Sequence, residues 1–241
     1  MIEVIDLHKT YGRGDCATLA LKGVNLRVLP GEFVAIMGRS GSGKSTLLHI
    51  LGLLDLPTSG EFLVRGQDML GLNETERARF RLQEFGYVFQ EYSLLPGMTM
   101  LENVCVPAIG LGRDTNVKKR ATELLKVVGL EHRLKHQPSE VSGGEQQRAA
   151  IARALINQPR ILFADEPTAS LDLASAKTVL ELFKKLNKGL GQTIVMVTHE
   201  PDDLEYVDRA IWLKEGRVQG GDGSALAEEF LLPVVPTESQ S

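Results

Sequence analysis

Apolar residues in this chain cluster into short continuous runs separated by longer polar or amphipathic stretches, and this pattern predicts the order of its strands and helices. Strands are predicted from the apolar runs at residues 33–37, 85–89, 160–164, 193–198 and 210–213. Helices are predicted, from helical spacing or a good N-cap, at residues 72–83, 117–128, 142–157 and 174–188. Strands that alternate with helices favour parallel pairing through crossover helices.

The first third of the chain has a different pattern. Residues 2–7 alternate apolar and polar side chains, as a half-buried strand does, and residues 19–28 form a second strand that breaks near Gly23. A third short strand is predicted at residues 61–65. Because these segments are joined by short turns, they predict an antiparallel layer at the front of the molecule.

Residues 91–158 are predicted to form an inserted helical subdomain. Thr99 is placed to cap one of its helices, which Pro107 should end or kink. We therefore predict an α/β fold with a parallel-sheet core, an antiparallel β layer and this helical insert. A single domain would cover residues 1–220, and residues 221–241 would form a C-terminal tail with a mobile end.

Composition narrows the class of protein. The 241 residues are 43% hydrophobic and carry a net charge of −4, which suits a globular protein and gives no basis for expecting nucleic-acid binding. Cys16 and Cys105 lie far apart in sequence, so they imply no disulfide framework and fit a reducing compartment. Neither a secretory signal nor a run of 18 apolar residues is found, so any membrane contact is expected to come through a partner.

A glycine-rich loop lies between the apolar run at 33–37 and the next helix pattern. It fits the phosphate-binding motif G-x-x-x-x-G-K-[S/T] and consists of Gly38, Arg39, Ser40, Gly41, Ser42, Gly43, Lys44, Ser45 and Thr46. The glycines let backbone N–H groups turn toward phosphate oxygens, and a helix starting near Gly43 adds a positive field. Lys44 would supply a charge to the β- and γ-phosphates, and Ser45 a hydroxyl to Mg²⁺.

Two adjacent carboxylates, Asp165 and Glu166, follow the apolar run at 160–164. Such a pair is costly at the end of a buried strand unless a cation offsets it, and that edge of a parallel sheet is where ligands bind. Asp165 is therefore a candidate Mg²⁺ ligand, directly or through water, and Glu166 a candidate base for an attacking water. The alternative is a solvated loop pair without a chemical role.

A capping box at a helix start is predicted at Ser142, Gly143, Gly144 and Glu145. A well-capped helix is a sufficient structural explanation for the serine and glutamate. Two glycines are nevertheless poor for helix stability and good for close ligand approach, which suggests a second phosphate-binding helix end. One nucleotide does not need two such sites from one chain, so a dimer in which each copy closes the other's nucleotide is expected.

These residues resemble the ATP-binding cassette (ABC) ATPases. Residues 141–145 look like the LSGGQ motif of that family, and the other family motifs follow in family order: Gln90 as the Q-loop, residues 161–166 as Walker B, residues 169–172 as the D-loop and His199 as the switch histidine. The resemblance covers about residues 2–220. Within the family, residues 87–96 and 101–104 look like the MacB/LolD group of macrolide-type exporters and lipoprotein-releasing ATPases.

Four positions need separate comment. Val141 and Glu145 replace the Leu and Gln of the motif, and the charge of Glu145 near a phosphate site puts its contact role in question. Arg39 stands where relatives often have proline and is expected to point to solvent. Tyr11 matches the aromatic position that stacks on adenine, with ordinary packing at a strand end as the alternative.

The resemblance implies a P-loop NTPase fold, ATP and Mg²⁺ as ligands, and a role for each motif residue. ATP would contact residues 38–46, Tyr11 and Gln90, and Mg²⁺ would be held by Ser45 and Gln90 with Asp165 in its outer sphere. Glu166 would polarise the water, with Lys44 and His199 at the γ-phosphate. Acting in trans on the partner's nucleotide would be Ser142, Gly143, Gly144, Glu145 and Asp172.

We therefore expect the ATP-hydrolysing subunit of an ABC transporter. Two copies in head-to-tail arrangement would drive a separate membrane permease, docked near residues 90–103, from the cytoplasmic face of the cell membrane. A regulatory or mechanical ATPase that acts on a membrane partner without transport is the main alternative. A soluble ABC protein of translation or DNA repair and a plain P-loop kinase are less consistent with the single cassette, the second glycine cap and Glu166.

Overall fold

The computed structural model describes residues 1–112 and 116–219. Its strands, in chain order, are β1 (Ile2–Tyr11), β2 (Thr18–Val28), β3 (Phe33–Met37), β4 (Ser59–Val64), β5 (Gln67–Asp68), β6 (Phe85–Val88), β7 (Ile161–Asp165), β8 (Thr193–Val197), β9 (Arg209–Lys214) and β10 (Arg217–Gln219). Its α-helices are α1 (Lys44–Leu51), α2 (Glu74–Glu84), α3 (Met100–Ile109), α4 (Val117–Val127), α5 (Gly143–Leu155) and α6 (Leu173–Leu190). The predicted tail at 221–241 lies outside the described residues.

The central sheet has the strand order β10-β9-β3-β8-β7-β6. The pairs from β9 to β6 are all parallel, and only β10 runs antiparallel to its neighbour. Strand β3 is buried along its whole length between β8 and β9, which explains its continuous apolar run. The predicted parallel core is therefore confirmed, and the carboxyl ends of β3, β7 and β8 lie side by side.

The predicted antiparallel layer is a four-stranded sheet in the order β2-β1-β4-β5. The expected break near Gly23 is a bulge rather than an end of the strand, since Leu7 pairs with Val24 and the next residue, His8, pairs with Lys22. Gly23 has a φ of 73°, which a residue with a side chain rarely adopts. Strand β2 therefore continues through the glycine.

Two apolar clusters cover the opposite faces of the central sheet, as the alternation along β3 requires. Phe33, Ala35 and Met37 pack into a cluster with residues of α3 to α6. Val34 and Ile36 pack into a second cluster with α1 and the antiparallel sheet. Helices α3 to α5 thus share a continuous core with the parallel sheet, and their treatment as an inserted subdomain remains a prediction.

The helical segment is less continuous than the sequence pattern suggested. Residues 91–98 contain turns rather than a helix, and α3 begins after the capping box of Thr99 with Glu102. Pro107 lies inside α3, which ends only at Ile109. A 3₁₀ helix, Pro201–Tyr206, follows β8. Within the described part of the chain, no helix is long and apolar enough to cross a bilayer.

Candidate nucleotide site

The glycine-rich loop connects the carboxyl end of β3 to α1, in the strand–loop–helix setting that the motif requires. Gly38 lies so close to β9 that an added Cβ would be 2.2 Å from the carbonyl oxygen of Leu213. Gly43 is the N-cap of α1 with a φ of 102°. The sequence uses glycine at both places because a side chain would collide or strain the turn, so the loop backbone can curl around a small anion.

Lys44 folds back over this loop. Its Nζ donates hydrogen bonds to the carbonyl oxygens of Gly38 at 2.9 Å and Arg39 at 3.2 Å, and the residue is only 7% exposed. A buried ammonium that is satisfied by neutral carbonyls would bind an anionic phosphate oxygen more strongly. Arg39 itself is exposed, as expected. The loop therefore presents a fixed positive charge at the start of α1.

A cavity of about 1000 Å³ opens over the loop. Eight of the nine loop residues and three other predicted site residues line it: Gly38, Arg39, Ser40, Gly41, Gly43, Lys44, Ser45, Thr46, Tyr11, Glu166 and His199. The ninth loop residue, Ser42, is buried at 6% exposure and does not line the cavity. Much of the remaining wall was not predicted from the sequence; β2, β9 and the turn after β9 supply it through Thr18, Leu19, Ala20, Lys22, Trp212, Glu215 and Gly216. The volume suits a nucleotide-sized ligand.

Ser45 and Asp165 meet at the junction of α1 and β7. The Ser45 hydroxyl lies 3.3 Å from Asp165 Oδ1, so two hard oxygen ligands of the kind that Mg²⁺ prefers stand together. His49, one turn further along α1, has its Nε2 3.6 Å from Asp165 Oδ2, and that carboxylate raises the pKa of the imidazole. His49 was not predicted, although its spacing of four residues from Ser45 on a helix places the two on one face.

Gln90 is not brought into the cavity. It is exposed in the turn after β6, and it is absent from the residues that line the cavity. Among the described residues, no group of three or more His, Cys, Asp or Glu side chains could hold a metal by itself. A cation at Ser45 and Asp165 would thus need further oxygen ligands, which water and phosphate can supply.

Glu166 and His199 face each other from the ends of neighbouring strands β7 and β8. Glu166 Oε2 lies 3.4 Å from His199 Nδ1, and the other ring nitrogen lies 3.1 Å from Glu200 Oε1. Glu166 has a φ of 42°, and its N–H donates to the carbonyl oxygen of Val197. The strand ends therefore hold a carboxylate and an imidazole together at the cavity wall.

Tyr11 lies at the cavity mouth and is 42% exposed. Its hydroxyl donates to Asp55 Oδ2 at 2.7 Å, and Lys9 Nζ lies 4.7 Å from the ring centroid. Partial burial and the neighbouring Asp55 raise the pKa of the phenol. Because Lys9 covers one face of the ring, an adenine would have to stack on the other face.

The predicted second phosphate site is a complete capping box at the start of α5. Glu145 Oε2 accepts hydrogen bonds from the N–H (2.9 Å) and hydroxyl (3.0 Å) of Ser142, and Arg133 Nε lies 2.9 Å from Glu145 Oε1. The hydrogen bond from the Ser142 N–H and the Arg133 guanidinium lower the pKa of Glu145 to about 2. The charge of Glu145 is thus already matched within its own chain.

None of residues 142–145 lines the cavity of its own chain, and neither does Asp172. Asp172 caps α6, accepting hydrogen bonds from the N–H (2.9 Å) and hydroxyl (2.7 Å) of Ser175. The structure therefore separates the predicted residues into two groups, one around the phosphate loop and one at the starts of α5 and α6.

Comparison with known proteins shows the family to which the chain belongs. The profile of the family described as "ABC transporter" matches residues 21–169. The chain is 46% identical to the macrolide export ATP-binding/permease protein MacB of Syntrophobacter fumaroxidans, over all of this chain and 34% of that protein. It thus spans about a third of the length of the MacB relatives. It is 47% identical to the lipoprotein-releasing system ATP-binding protein LolD of Shewanella oneidensis, over 91% of this chain and 96% of LolD.

Solved structures of ATP-binding cassettes have the same fold as this chain. A dimeric, post-hydrolysis structure of the ATP-binding cassette MJ0796, bound to ADP and Pi, superposes with a TM-score of 0.83 at 44% identity, over 91% of this chain and 97% of that one. The cassette cbiO1 of Clostridium perfringens superposes with a TM-score of 0.83 at 32% identity, over 95% of this chain and 91% of that one. The chain belongs to the ABC transporter family, and its fold is that of an ATP-binding cassette.

Proposed function

We propose that this chain binds ATP with Mg²⁺, hydrolyses it between two copies arranged head to tail, and so drives a membrane permease. The observation that carries the proposal is the separation of the site into two halves. One half is a cavity with a buried ammonium at a helix start, and the other is a glycine-bordered helix start outside that cavity. Each half offers phosphate contacts, and two copies can bring unlike halves together.

The first half holds the triphosphate. The loop N–H groups and Lys44 would take the β- and γ-phosphates, and Tyr11 would stack on the base. Ser45 and Asp165, which already lie within 3.3 Å of each other, would hold Mg²⁺, with Gln90 joining them after a movement of its exposed turn. The cation, when bound, neutralises charge that develops on the phosphate oxygens.

Glu166 is suited to orienting the attacking water, and His199 is suited to contacting the γ-phosphate. A carboxylate at the cavity wall can accept a hydrogen bond from the attacking water and orient it, and an imidazole N–H can donate to a γ-phosphate oxygen. Their separation of 3.4 Å keeps both groups on one side of the phosphate loop. Phosphoryl transfer depends mainly on such positioning and charge stabilisation.

The partner copy would complete the site with Ser142, Gly143 and Gly144. The absence of a side chain at the two glycines lets the start of α5 approach a phosphate closely, and Asp172 would lie at the same interface. The relative MJ0796 has been solved as a dimer, which supports self-association of this chain. Because ADP lacks the γ-phosphate, hydrolysis would weaken the contact and let the copies separate.

The proposal that a membrane permease is the partner rests on the names of the relatives and on one surface groove of this chain. MacB is named an ATP-binding/permease protein and LolD a lipoprotein-releasing ATP-binding protein, so export or lipoprotein release is the proposed use of the ATP. A groove of about 350 Å³, partly lined by Leu54, Phe89 and Pro107, lies beside the 90–103 segment where docking is expected. Such docking would place the chain on the cytoplasmic face of the membrane.

The substitution Glu166→Gln tests the dimer. It removes the carboxylate at the cavity wall and leaves the phosphate loop intact, so the variant is expected to hydrolyse ATP very slowly and to form a stable dimer when ATP and Mg²⁺ are added. Sedimentation velocity measures the dimer. Lys44→Ala in the Glu166→Gln background is the control and should stay monomeric. A Glu166→Gln chain that remains monomeric in saturating ATP would contradict the proposal.

A further inference from the structure

Asp203 is a buried carboxylate that the roles described above do not use. It lies in the 3₁₀ helix Pro201–Tyr206 and is only 4% exposed. Its Oδ2 accepts two hydrogen bonds, from the hydroxyl of Thr198 at 2.6 Å and from the hydroxyl of Thr168 at 3.1 Å. Both threonines are also buried. A single carboxylate oxygen therefore joins the two loops that follow β7 and β8.

The two loops are the ones that carry the reacting groups. Thr198 directly precedes His199, and Thr168 follows Glu166 by two positions. We propose that Asp203 is a positioning residue for ATP hydrolysis, which holds the loops after β7 and β8 in register so that Glu166 and His199 meet the γ-phosphate together. This inference rests on the proposed function, because it assigns Asp203 a role in that same reaction.

The hydrogen bonds around Thr198 determine that its hydroxyl donates to Asp203. The Thr198 hydroxyl oxygen accepts from the N–H of Glu200 at 3.0 Å, which leaves its own proton for Asp203. The N–H of Asp203 in turn donates to the carbonyl oxygen of Glu200 at 3.3 Å. The two hydrogen bonds of Asp203 and the short backbone segments 166–168 and 198–199 thus connect Glu166 to His199, and the 3.4 Å approach of His199 Nδ1 to Glu166 Oε2 closes the ring.

The charge environment explains why the link depends on a carboxylate. Burial raises the pKa of Asp203, while the hydrogen bonds from Thr198 and Thr168 lower it, and the nearby Glu200 and Asp202 raise it further. Charge-assisted hydrogen bonds are stronger than neutral ones, particularly away from water. An asparagine has a similar shape and can turn its carbonyl oxygen toward both hydroxyls, but it accepts these hydrogen bonds without a negative charge and puts an NH₂ group in place of the second carboxylate oxygen.

The test compares Asp203→Asn with Asp202→Asn in the full chain. Asp202 is the exposed neighbour in the same 3₁₀ helix and is the matched control. For Asp203→Asn we expect kcat for ATP hydrolysis to fall roughly ten- to a hundredfold, as for a reacting group displaced by a fraction of an ångström to 1 Å. KM for ATP and nucleotide binding should stay within about twofold of wild type, because the phosphate loop is not involved.

A double-mutant cycle separates positioning from general stability. Thr198→Val and Thr168→Val should each lower kcat, and adding Asp203→Asn to the double threonine variant should lower it little further, since the same link is already broken. If Asp203→Asn does not fold, Thr198→Val and Thr168→Val still test the link by removing its two hydroxyl donors. Equal kcat in Asp203→Asn and Asp202→Asn, or additive losses in the cycle, would overturn the inference. A wild-type chain that hydrolyses no ATP would instead contradict the proposed function.

Discussion

The hydroxyl of Tyr92 occupies the space that a side chain at Gly143 would need: an added Cβ would lie 2.7 Å from Tyr92 Oη and 3.5 Å from the ring carbon that carries it. Tyr92 belongs to the loop after Gln90, and Gly143 is the first residue of α5. The loop beside the proposed permease surface is thus in contact with the helix start proposed to meet the partner's phosphate.

This contact predicts the effect of Gly143→Ala and its repair. The alanine should destabilise the chain by about 1–2 kcal/mol, because overpacking outweighs its better helix propensity. Tyr92→Phe removes the oxygen and leaves an ordinary 3.5 Å contact, so it should restore the free energy of unfolding. Urea denaturation of the two single variants and the double variant measures this. Equal destabilisation by Gly143→Ala with and without Tyr92→Phe would refute the steric explanation.

ATPase activity gives a second readout from the same variants. If Gly143 must approach a phosphate in trans, the stable double variant Gly143→Ala/Tyr92→Phe should still hydrolyse ATP more slowly than Tyr92→Phe alone. Full activity in the double variant would show that the glycine is needed only to avoid Tyr92.

Local patterns predicted the strand–loop–helix around Lys44, the cap at Thr99 and the capping box of Ser142, because each depends on a few neighbouring residues. Contacts between distant segments were not predicted. The link of Asp203 to Thr168 joins residues 35 positions apart, and nothing in the local sequence marks either as a partner. The cavity wall from β2 and β9 was missed for the same reason, since it depends on how two sheets pack.

Glu145 should contribute to stability in a pH-dependent way. Its pKa falls from an ordinary 4.5 to about 2 in the folded chain. A lowered folded-state pKa gives stability that is present above about pH 4.5 and is lost as the pH falls toward 2. Glu145→Gln should therefore lower the free energy of unfolding by about 1 kcal/mol near neutral pH.

The difference between Glu145→Gln and wild type should shrink as the pH is lowered from 5 toward about 3, where the wild-type carboxylate would begin to gain its proton in the unfolded state but not the folded one. Denaturant titrations at several pH values measure it. Glu123→Gln, at an exposed position of α4, is the control and should show no such trend. A pH-independent difference would mean that the charge of Glu145 is not what stabilises the cap.

Arg153 holds the loop of Tyr92 against α5. Its guanidinium donates to the carbonyl oxygen of Tyr92 at 2.7 Å and to that of Ser93, two residues that both have a left-handed backbone. Arg153→Met should remove this support and lower the free energy of unfolding by about 1–3 kcal/mol. Faster limited proteolysis between residues 90 and 98 is the expected local sign. The exposed Arg79→Met is the control, and equal behaviour of the two variants would contradict the role of Arg153.

ATP hydrolysis by this chain should depend on Mg²⁺. Chelation with EDTA is expected to abolish ATP hydrolysis, because the charge on the phosphate oxygens would no longer be offset. Ser45→Ala removes one of the two oxygen atoms, 3.3 Å apart, that are proposed to hold Mg²⁺, and should raise the Mg²⁺ concentration needed for half-maximal activity. Activity measured over a Mg²⁺ titration tests this. An unchanged requirement in Ser45→Ala would remove that hydroxyl from the metal site.

The most direct test of the shared site is a disulfide between two copies. One chain would carry Ser40→Cys and the other Ser142→Cys, both with Glu166→Gln and with the exposed Cys16 changed to Ser. Mixed chains are oxidised with and without ATP and Mg²⁺, and the crosslinked dimer is measured on a non-reducing gel. The account predicts a crosslink that forms with ATP and is lost when Lys44→Ala is added. No crosslink with ATP, or the same yield without nucleotide, would contradict it.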